Sequence, residues 1–438
     1  MLNLDKKLIQ CEENGKQIIS GIVGAGQMGR GMVSQMVMMK GIKPGIVSDI
    51  MIDNAINAFK YAGVAEDDIA VARTLEEANA LMEQGKYVAT EDANMISQAN
   101  MVQCVIDATG VPDVGAHVAT TAMKNKKHCV MLNVETDIVI GSYLKKLGDE
   151  NGVIYTGSDG DEPGAVMHLY SFAKAMGMDV KVMGKGKNNK LDYDCNPDTV
   201  LAEATRRKMS PKMLCAFKDG TKTMVEMTAM SNATGLVPDV IGGHGLVVEP
   251  GDVKALNELC KLKEDGGVMS KHGVVEYVNG IAPGVFVTVG TSNDEIAYQM
   301  GYHSMGPGPL WTLYRPYHLC NLETPLTVAR AVLEGEPTII PLGEPVSECI
   351  TRAKVDLKDG QMIDGIGGYT TYASIATASE TREKGYVPYG LVTKNAKMLK
   401  DCKKGEMITW DMIELDTNTL IYKLRKEQDA MYGYSVLK

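Results

Sequence analysis

Aromatic side chains are scarce in this chain, with 4 phenylalanines and 2 tryptophans in 438 residues. The core volume they would fill falls to aliphatic side chains and to methionine, of which there are 29. Methionine is a flexible filler of irregular gaps, so its abundance reads as a habit of the core, not as a recognition surface. No apolar run reaches the roughly eighteen residues of a membrane-spanning helix. The opening stretch, MLNLDKKLIQCEENGKQ, lacks the apolar centre of a signal peptide, and a cytoplasmic protein is expected. The 9 cysteines, Cys11 to Cys402, include no C-x-x-C pair. An odd set of scattered thiols suits a reducing compartment and gives no structural zinc motif, so no metal site is assigned. Positive charge is in deficit, 45 Lys and Arg against 55 Asp and Glu, a formal net charge of -10. That balance argues against nucleic acid or an anionic membrane as partner. Neither G-x-S-x-G nor a Walker-type loop is found, which removes the commonest signatures of serine hydrolases and P-loop enzymes. No repeat or low-complexity tract appears. A chain that is 45% hydrophobic and 23% charged is an ordinary globular one, long enough for two or three domains.

Against these absences stands one strong local pattern. Gln17 to Val23 reads as a short apolar strand that runs into Gly24-Ala25-Gly26-Gln27-Met28-Gly29 and then into a helical run, Arg30 to Met39. This is G-x-G-x-x-G between strand and helix. The first glycine makes the tight turn, the second admits a pyrophosphate, and the third lets helix and strand pack closely. The helix N-terminus then presents free N–H groups to phosphate. A second strand, Gly45 to Ser48, ends in Asp49, where a ribose-binding acid belongs. The motif predicts a dinucleotide site, with Gly24, Gly26, Gln27, Met28, Gly29 and Asp49 in it.

The pattern then alternates. Helical segments at Asn54–Tyr61, Leu75–Glu83 and Pro112–Met123 lie between strands near Tyr87–Ala89, Met101–Ala108, His128–Asn133 and Val153–Thr156. Short apolar strands between helices predict an α/β fold, a parallel Rossmann-type sheet covered on both faces. Its ligands belong beyond the carboxyl ends of the strands, which adds Thr109, Gly110, Asn133 and Glu135 to the candidate cofactor residues. From Asp159 the texture becomes α+β: a helix at Glu162–Met176, a strand at Asp179–Met183, a helical pattern over 222–230 and a strand at Val285–Val289. Pro337 to Pro345 reads as a linker, and the tail from Val346 as a small, mostly β module. The domains expected are 1–158, with a helix near 323–335 returning to it, then 159–322 and 346–438.

Four polar clusters could carry chemistry. Ser158-Asp159-Gly160-Asp161-Glu162 follows a strand, and its carboxylates could bind a substrate hydroxyl or a metal, or act as a base. Capping of the next helix by Asp161 is an equally good reading. Lys185, Lys187 and Lys190 lie in a glycine- and asparagine-rich run; they could hold an anion or polarise a carbonyl, against the plain alternative of a solvated basic loop. Lys222 follows a glycine turn, with Glu226 four residues on, as an ion pair would require. Arg315 and His318 sit among tyrosines in Tyr314-Arg315-Pro316-Tyr317-His318, a planar anion fork beside a group that titrates near neutrality. The candidate catalytic residues are therefore Asp161, Glu162, Lys185, Lys187, Lys190, Lys222, Arg315 and His318. His244, in Gly242-Gly243-His244-Gly245, is a weaker one.

With these residues in view, the chain resembles the homoserine dehydrogenase-like oxidoreductases that carry a C-terminal SAF-type domain. Within them it is most similar to the 1-deoxy-D-xylulose 5-phosphate reductoisomerase-like enzymes. The motifs that carry the resemblance are the glycine loop, Asn133-Val134-Glu135, Gly160-Asp161-Glu162-Pro163, Gly184-Lys185-Gly186-Lys187-Asn188-Asn189, Asp219-Gly220-Thr221-Lys222-Thr223-Met224-Val225-Glu226-Met227 and Arg315-Pro316-Tyr317-His318-Leu319. The SAF likeness rests on Gly390-Leu391-Val392 and Lys404-Gly405-Glu406-Met407-Ile408-Thr409. The resemblance implies an NAD(P)-binding domain, a central domain for catalysis and dimerisation, and a β-clip-like tail. Homoserine dehydrogenases have a lysine soon after the asparagine; here Val134-Glu135-Thr136 follows Asn133, which points away from homoserine itself.

The expectation is an NAD(P)-dependent oxidoreductase, leaning to NAD because of Asp49. Its substrate would be a small anionic hydroxy or keto compound such as a sugar phosphate, with reductoisomerase chemistry one version. The alternatives are a simple hydroxy-acid or alcohol dehydrogenase of the homoserine dehydrogenase type, and a nucleotide-binding protein without chemistry. A homodimer or higher homo-oligomer is expected. The Asp159-Gly160-Asp161-Glu162 loop and the Lys185–Lys190 run are expected to face each other across the nicotinamide end of the cofactor, with Asp161 or Glu162 in reach of a substrate hydroxyl and a lysine opposite.

Overall fold

The computed structural model describes residues 3–434; the outermost residues of the first and last expected domains, 1–2 and 435–438, lie outside them. The described chain forms two compact units. The first takes in the chain up to Asp161, Leu319–Ile340 and Lys423–Gln428; the second takes in Glu162–His318, Pro341–Tyr422 and the chain from Asp429 onward.

The first unit is built on seven strands: β1 (Ile18–Val23), β2 (Ile42–Ser48), β3 (Ile69–Val71), β4 (Tyr87–Thr90), β5 (Cys104–Asp107), β6 (His128–Met131) and β7 (Tyr155–Gly157). Their order is β3-β4-β2-β1-β5-β6-β7, and every pairing is parallel. This is the doubly wound Rossmann-type sheet, with the order reversing between β1 and β5. Both faces are buried. On one, Ile22, Met32, Val33, Met36, Phe59, Val328 and Ala329 pack together; on the other, Ile46, Met82, Val88, Ile96, Val105 and Val118 do. The methionines at 32, 36 and 82 are core, as their abundance suggested. The helix Cys320–Glu334 belongs to this unit and contributes Val328 and Ala329 to its core.

Several strands are shorter than their apolar runs. The run at Met101–Ala108 is a strand only over Cys104–Asp107, and His128–Asn133 only over His128–Met131. Asp107 and Asn133 lie at or beyond the ends, where their side chains hold turns. The longest helix of the first unit is Val134–Asn151. It is buried at Val134, Ile138, Val139, Ile140, Gly141, Ser142 and Leu144, so it shows no apolar stripe. It also breaks at Ile140 (φ -132°, ψ 15°). Gln428 serves the break: its amide nitrogen donates to the Val139 carbonyl (3.0 Å) and its oxygen accepts from the Tyr143 N–H (2.9 Å).

The second unit holds a five-stranded mixed sheet of β8 (Asp179–Gly186), β9 (Leu246–Val247), β10 (Val274–Asn279), β11 (Val285–Gly290) and β12 (Leu310–Arg315), in the order β12-β11-β8-β10-β9. The strands β8, β10 and β9 run parallel; β11 and β12 are antiparallel to their neighbours. Val182, Val274, Val278, Phe286 and Leu310 form an apolar core with Leu256, Cys260 and Met269. The helices Glu162–Ala175 and Thr221–Thr234 carry the polar clusters. The latter is buried at nearly every position, which explains why its apolar pattern was legible only in part. From Ser347 onward the chain is mostly β, as its turns suggested. β13 (Ser347–Ala353) pairs antiparallel with β15 (Thr371–Thr377), and β14 (Met362–Ile363), β16 (Ala396–Met398) and β17 (Ile413–Glu414) form a small sheet. The helix Leu420–Met431 near the end was not expected. Among the described residues no helix is long and apolar enough to cross a membrane.

Candidate cofactor loop and buried lysine site

The glycine loop meets each demand of its motif. Gly24 has φ +96°, and a Cβ there would stand 3.0 Å from the Ala108 carbonyl oxygen. Gly29 faces backbone: a Cβ would lie 1.8 Å from the Gly24 carbonyl oxygen, so the helix Gln27–Met38 packs on the loop through it. Gly26 caps that helix in an extended conformation (φ -64°, ψ -161°), and a Cβ there would meet nothing within 4 Å. Gly26 and Gln27 are exposed. The loop thus closes against its own strand and is open outward at its middle glycine, the side from which a pyrophosphate must approach. A dinucleotide fits these residues.

Asp49 ties this loop to the next strand. Its Oδ2 accepts from the Ala25 N–H (2.9 Å), and its Oδ1 from the Met51 N–H (3.0 Å) and the Asn54 amide (3.1 Å). Of about four acceptor positions on a carboxylate, one remains for a ligand hydroxyl.

The other expected rim residues divide by exposure. Thr109 and Gly110 are partly open, the latter at φ +66°. Asn133 and Glu135 are 0% and 3% exposed, so the structure places them beneath the rim, not on it. The Asn133 amide nitrogen donates to Asp107 Oδ2 (2.9 Å) and to the Val111 carbonyl (3.0 Å), while Asp107 Oδ1 accepts from the Thr109 N–H (2.9 Å). Asn133 therefore holds the Asp107–Val111 turn. Burial pushes the Asp107 carboxyl up to about 6.

The loop after β7 is fixed by the helix Cys320–Glu334. Ser158 Oγ and Thr324 Oγ1 are 2.7 Å apart, the Asp159 N–H donates to Thr327 Oγ1 (2.7 Å), and Cys320 Sγ lies 3.7 Å from Asp161 Oδ1. Asp159 and Asp161 are buried.

In the second unit, the run read as a basic loop is in large part a strand. β8 continues through Gly184, Lys185 and Gly186. The glycines are there for neighbouring backbone, since a Cβ at Gly184 would stand 1.7 Å from the Glu276 carbonyl oxygen and one at Gly186 2.5 Å from the Ala282 nitrogen. The alternation of a strand then aims Lys185 and Lys187 to the same face, and the Lys187 N–H still pairs with the Val278 carbonyl (2.8 Å). Val285 on β11 pairs with both Lys185 and Arg315. Lys185, Val285 and Arg315 thus form one row across the sheet. Lys190 lies past the strand and is exposed; it does not join them.

Lys185 is buried between two carboxylates, Glu162 Oε1 at 2.6 Å and Glu226 Oε2 in direct contact. Glu162 is thus the loop carboxylate that meets a lysine. Burial alone would lower the Lys185 pKa, but Glu162 and Glu226 outweigh it and hold the ammonium charged. Burial, and then the Glu162 charge, push Glu226 up; Lys185 and Lys222 oppose the shift. Glu226, read from its i,i+4 spacing as an ion-pair partner of Lys222, does feel the Lys222 charge and is also a wall of this site. His318 Nε2 lies 3.4 Å from Glu162 Oε1, and the Arg315 guanidinium stacks over the Tyr317 ring at 4.6 Å. Lys187 donates to the Phe217 carbonyl (2.9 Å); burial, and then the Lys185 charge, bring it down to about 8. The face therefore holds a fixed cation beside a lysine brought down to about 8. His244 stands apart from this row, paired with Asp239 Oδ2 at 2.7 Å.

Residues 160–324 match the family model described as "Oxidoreductase DRL, catalytic domain". That stretch contains Glu162, Lys185, Lys187, Lys222, Glu226, Arg315 and His318. No curated protein matches the chain. Among solved structures, it is similar to a "probable dehydrogenase from Thermotoga maritima", at 12% identity over 74% of this chain and 91% of that one, with a TM-score of 0.42. It is also similar to scyllo-inositol dehydrogenase from Lactobacillus casei with bound NAD(H) and scyllo-inositol (12% identity, 63% and 74% covered, TM-score 0.36) and to a myo-inositol dehydrogenase from Corynebacterium glutamicum (10%, 69% and 69%, 0.32). At these values the likenesses add nothing to the fold that strand order already defines. The matched family is one of oxidoreductases, and none of these three structures is described as a homoserine dehydrogenase or a reductoisomerase.

Proposed function

We propose that this chain is a nicotinamide-dependent oxidoreductase acting on a small anionic hydroxy or keto compound, with sugar phosphates as the substrate class. The observation that carries the reading is the pairing of two lysines on one sheet face, Lys185 fixed as a cation by Glu162 and Glu226, and Lys187 brought down to about 8. A dinucleotide held by Gly24, Gly26, Gly29 and Asp49 would supply the hydride acceptor or donor. Lys187 takes the hydroxyl proton in the oxidative direction and returns it in the reductive one, since a base works best when its pKa lies near the operating pH. Lys185 polarises the carbonyl oxygen as a preorganised cation. Arg315, in the same row, holds the anionic group of the substrate.

The proton role has a measurable consequence. The oxidative rate is expected to rise with pH through about 8, as Lys187 loses its proton, and Lys187→Met to lose most of the rate along with that limb. A profile unchanged by Lys187→Met contradicts the role. The sign for stability follows from the same shift. A lysine lowered in the folded protein leaves the unfolded chain binding more protons between about 8 and its ordinary value, so this residue makes stability rise with pH across that window.

The test of the whole reading is a screen of the purified chain against sugar phosphates and hydroxy acids, following nicotinamide absorbance with NAD+ and NADP+ for the hydroxy compounds and with NADH and NADPH for the keto compounds, and identifying the product. Because Asp49 accepts from a 2′-hydroxyl but repels a 2′-phosphate, kcat/KM is expected to favour NADH at least about tenfold. A preference for NADPH removes Asp49 from the ribose role. No turnover with either cofactor across both substrate classes removes the reading itself. Product analysis separates simple dehydrogenation from a carbon-skeleton rearrangement followed by reduction.

A further inference from the structure

A second polar cluster in the second unit contains none of the side chains given a role in the proposed reaction. Cys195 lies in a stretch that is neither helix nor strand, directly after the exposed residues Asp192, Tyr193 and Asp194. Cys215 lies on the helix Pro211–Lys218. Their sulfur atoms are 3.5 Å apart. Lys354 reaches them from the tail and is itself almost wholly buried. Its ammonium lies 2.7 Å from Asp219 Oδ2, 3.4 Å from Cys215 Sγ, 3.1 Å from the Cys195 carbonyl and 3.0 Å from the Gly368 carbonyl.

Cys195, Cys215 and Asp219 could together ligate a metal ion, but the Lys354 ammonium already stands among those ligand atoms as their cation. What this arrangement suits is thiol oxidation. A cation beside a thiol favours the thiolate, the nucleophilic form, and a second thiol in contact is placed to resolve the product.

We propose that Cys195 and Cys215 are a thiol-oxidation site, closed to a disulfide by peroxide, with Lys354 supporting Cys215 as the attacking thiolate. In the first step the Cys215 thiolate attacks one peroxide oxygen, the O–O bond breaks, and the departing hydroxide takes up a proton to leave as water. In the second, Cys195 sulfur attacks the resulting sulfenic acid, the S–S bond forms, and the sulfenic hydroxyl leaves as a second water with the Cys195 proton. Two thiols and one hydrogen peroxide give one disulfide and two waters. The hydrogen bond from Cys195, with the Lys354 charge, holds Cys215 below the ordinary thiol range, although burial opposes this. The sulfur atoms must approach to about 2.05 Å, and the irregular stretch carrying Cys195 is the side that moves. The helix bearing Cys215 also supplies the Phe217 carbonyl that Lys187 holds, so the site lies one helix away from the proposed proton carrier.

The experiment treats the reduced full-length chain with hydrogen peroxide, alkylates the remaining thiols under denaturing conditions and maps the peptides by mass. The result expected is one cross-linked peptide pair joining Cys195 to Cys215, two hydrogens lighter than the dithiol and restored by dithiothreitol. Alkylation of both cysteines after treatment, or their pairing with others, overturns the site. In Cys195→Ser, Cys215 should be captured by dimedone as the sulfenic acid; its absence there overturns Cys215 as the attacking sulfur. Lys354→Met should slow closure about tenfold, and an unchanged rate overturns the role of the ammonium. If that variant fails to fold, Cys195→Ser and the unsubstituted chain still decide the rest.

Discussion

Gly26→Asp is expected to lose at least about a hundredfold in affinity for the nicotinamide dinucleotide while the chain stays folded with an unchanged Tm. The position has room: a Cβ there meets nothing within 4 Å, and φ is -64°. The added side chain therefore enters only the space where the pyrophosphate must sit, and brings a negative charge to a helix N-terminus that would otherwise attract phosphate. Loss of one charge-assisted hydrogen bond is worth about 1.5–3 kcal/mol, and repulsion adds to it. Gly29→Ala is the contrasting variant. Its Cβ would lie 1.8 Å from the Gly24 carbonyl oxygen, so it should disturb the strand–loop–helix unit and lower Tm as well as binding. Calorimetric titration with thermal melts separates the two. Gly26→Asp binding as tightly as the unsubstituted chain would remove this loop from the nucleotide site.

The other large effect is expected at Lys185. Removing its ammonium in Lys185→Met leaves Glu162 and Glu226 buried against each other. Breaking a buried pair by deleting one partner typically costs about 3–5 kcal/mol, which for a unit of this size corresponds to a fall in Tm of roughly 6–20 °C. Activity should fall below about 1%, the usual consequence of losing a preorganised charge at a reacting oxygen. The double variant Lys185→Met, Glu226→Gln distinguishes structure from function. With one buried carboxylate neutralised, much of the lost Tm should return; the activity should not. Recovery of activity along with Tm would make Lys185 a structural ion-pair partner and nothing more.

How far these arguments were legible in the sequence depends on what each residue's role requires. The glycine loop could be read because each glycine answers a steric demand at fixed spacing, and strand, turn and helix adjoin. The parallel sheet could be read because strands buried on both faces become apolar runs. The extent of the helix Val134–Asn151 was harder to read, since burial on many sides erased its period and the break at Ile140 interrupted it. In the candidate site, Glu162, Lys185 and Lys187 were visible as charges among glycines, but their setting was not. The glycines at 184 and 186 point to close backbone approach, and their missing side chains do make room for the backbone at Glu276 and Ala282. Arg315 joins Lys185 only through the pairing of β8, β11 and β12, a long-range register that no local pattern encodes. Glu226 was legible only as a partner for Lys222 at i,i+4, whose charge does act on it; its contact with Lys185 comes from a distant strand. Lys354 was not singled out at all, because it meets Asp219 and Cys215 only after the tail has folded.

The function proposed is hydride transfer with a dinucleotide on the Gly24–Gly29 loop, Lys185 and Lys187 handling the substrate oxygen and its proton. Its most direct test is isotope transfer. Reduced cofactor carrying deuterium at the transferable position of nicotinamide C4 is incubated with the chain and the keto substrate found by the screen, and the product is analysed by mass. One deuterium per product molecule is expected, on the carbon that bears the new hydroxyl, and no labelled product from Gly26→Asp at the same cofactor concentration. Product formed without deuterium, or labelled product formed equally well by Gly26→Asp, would contradict it.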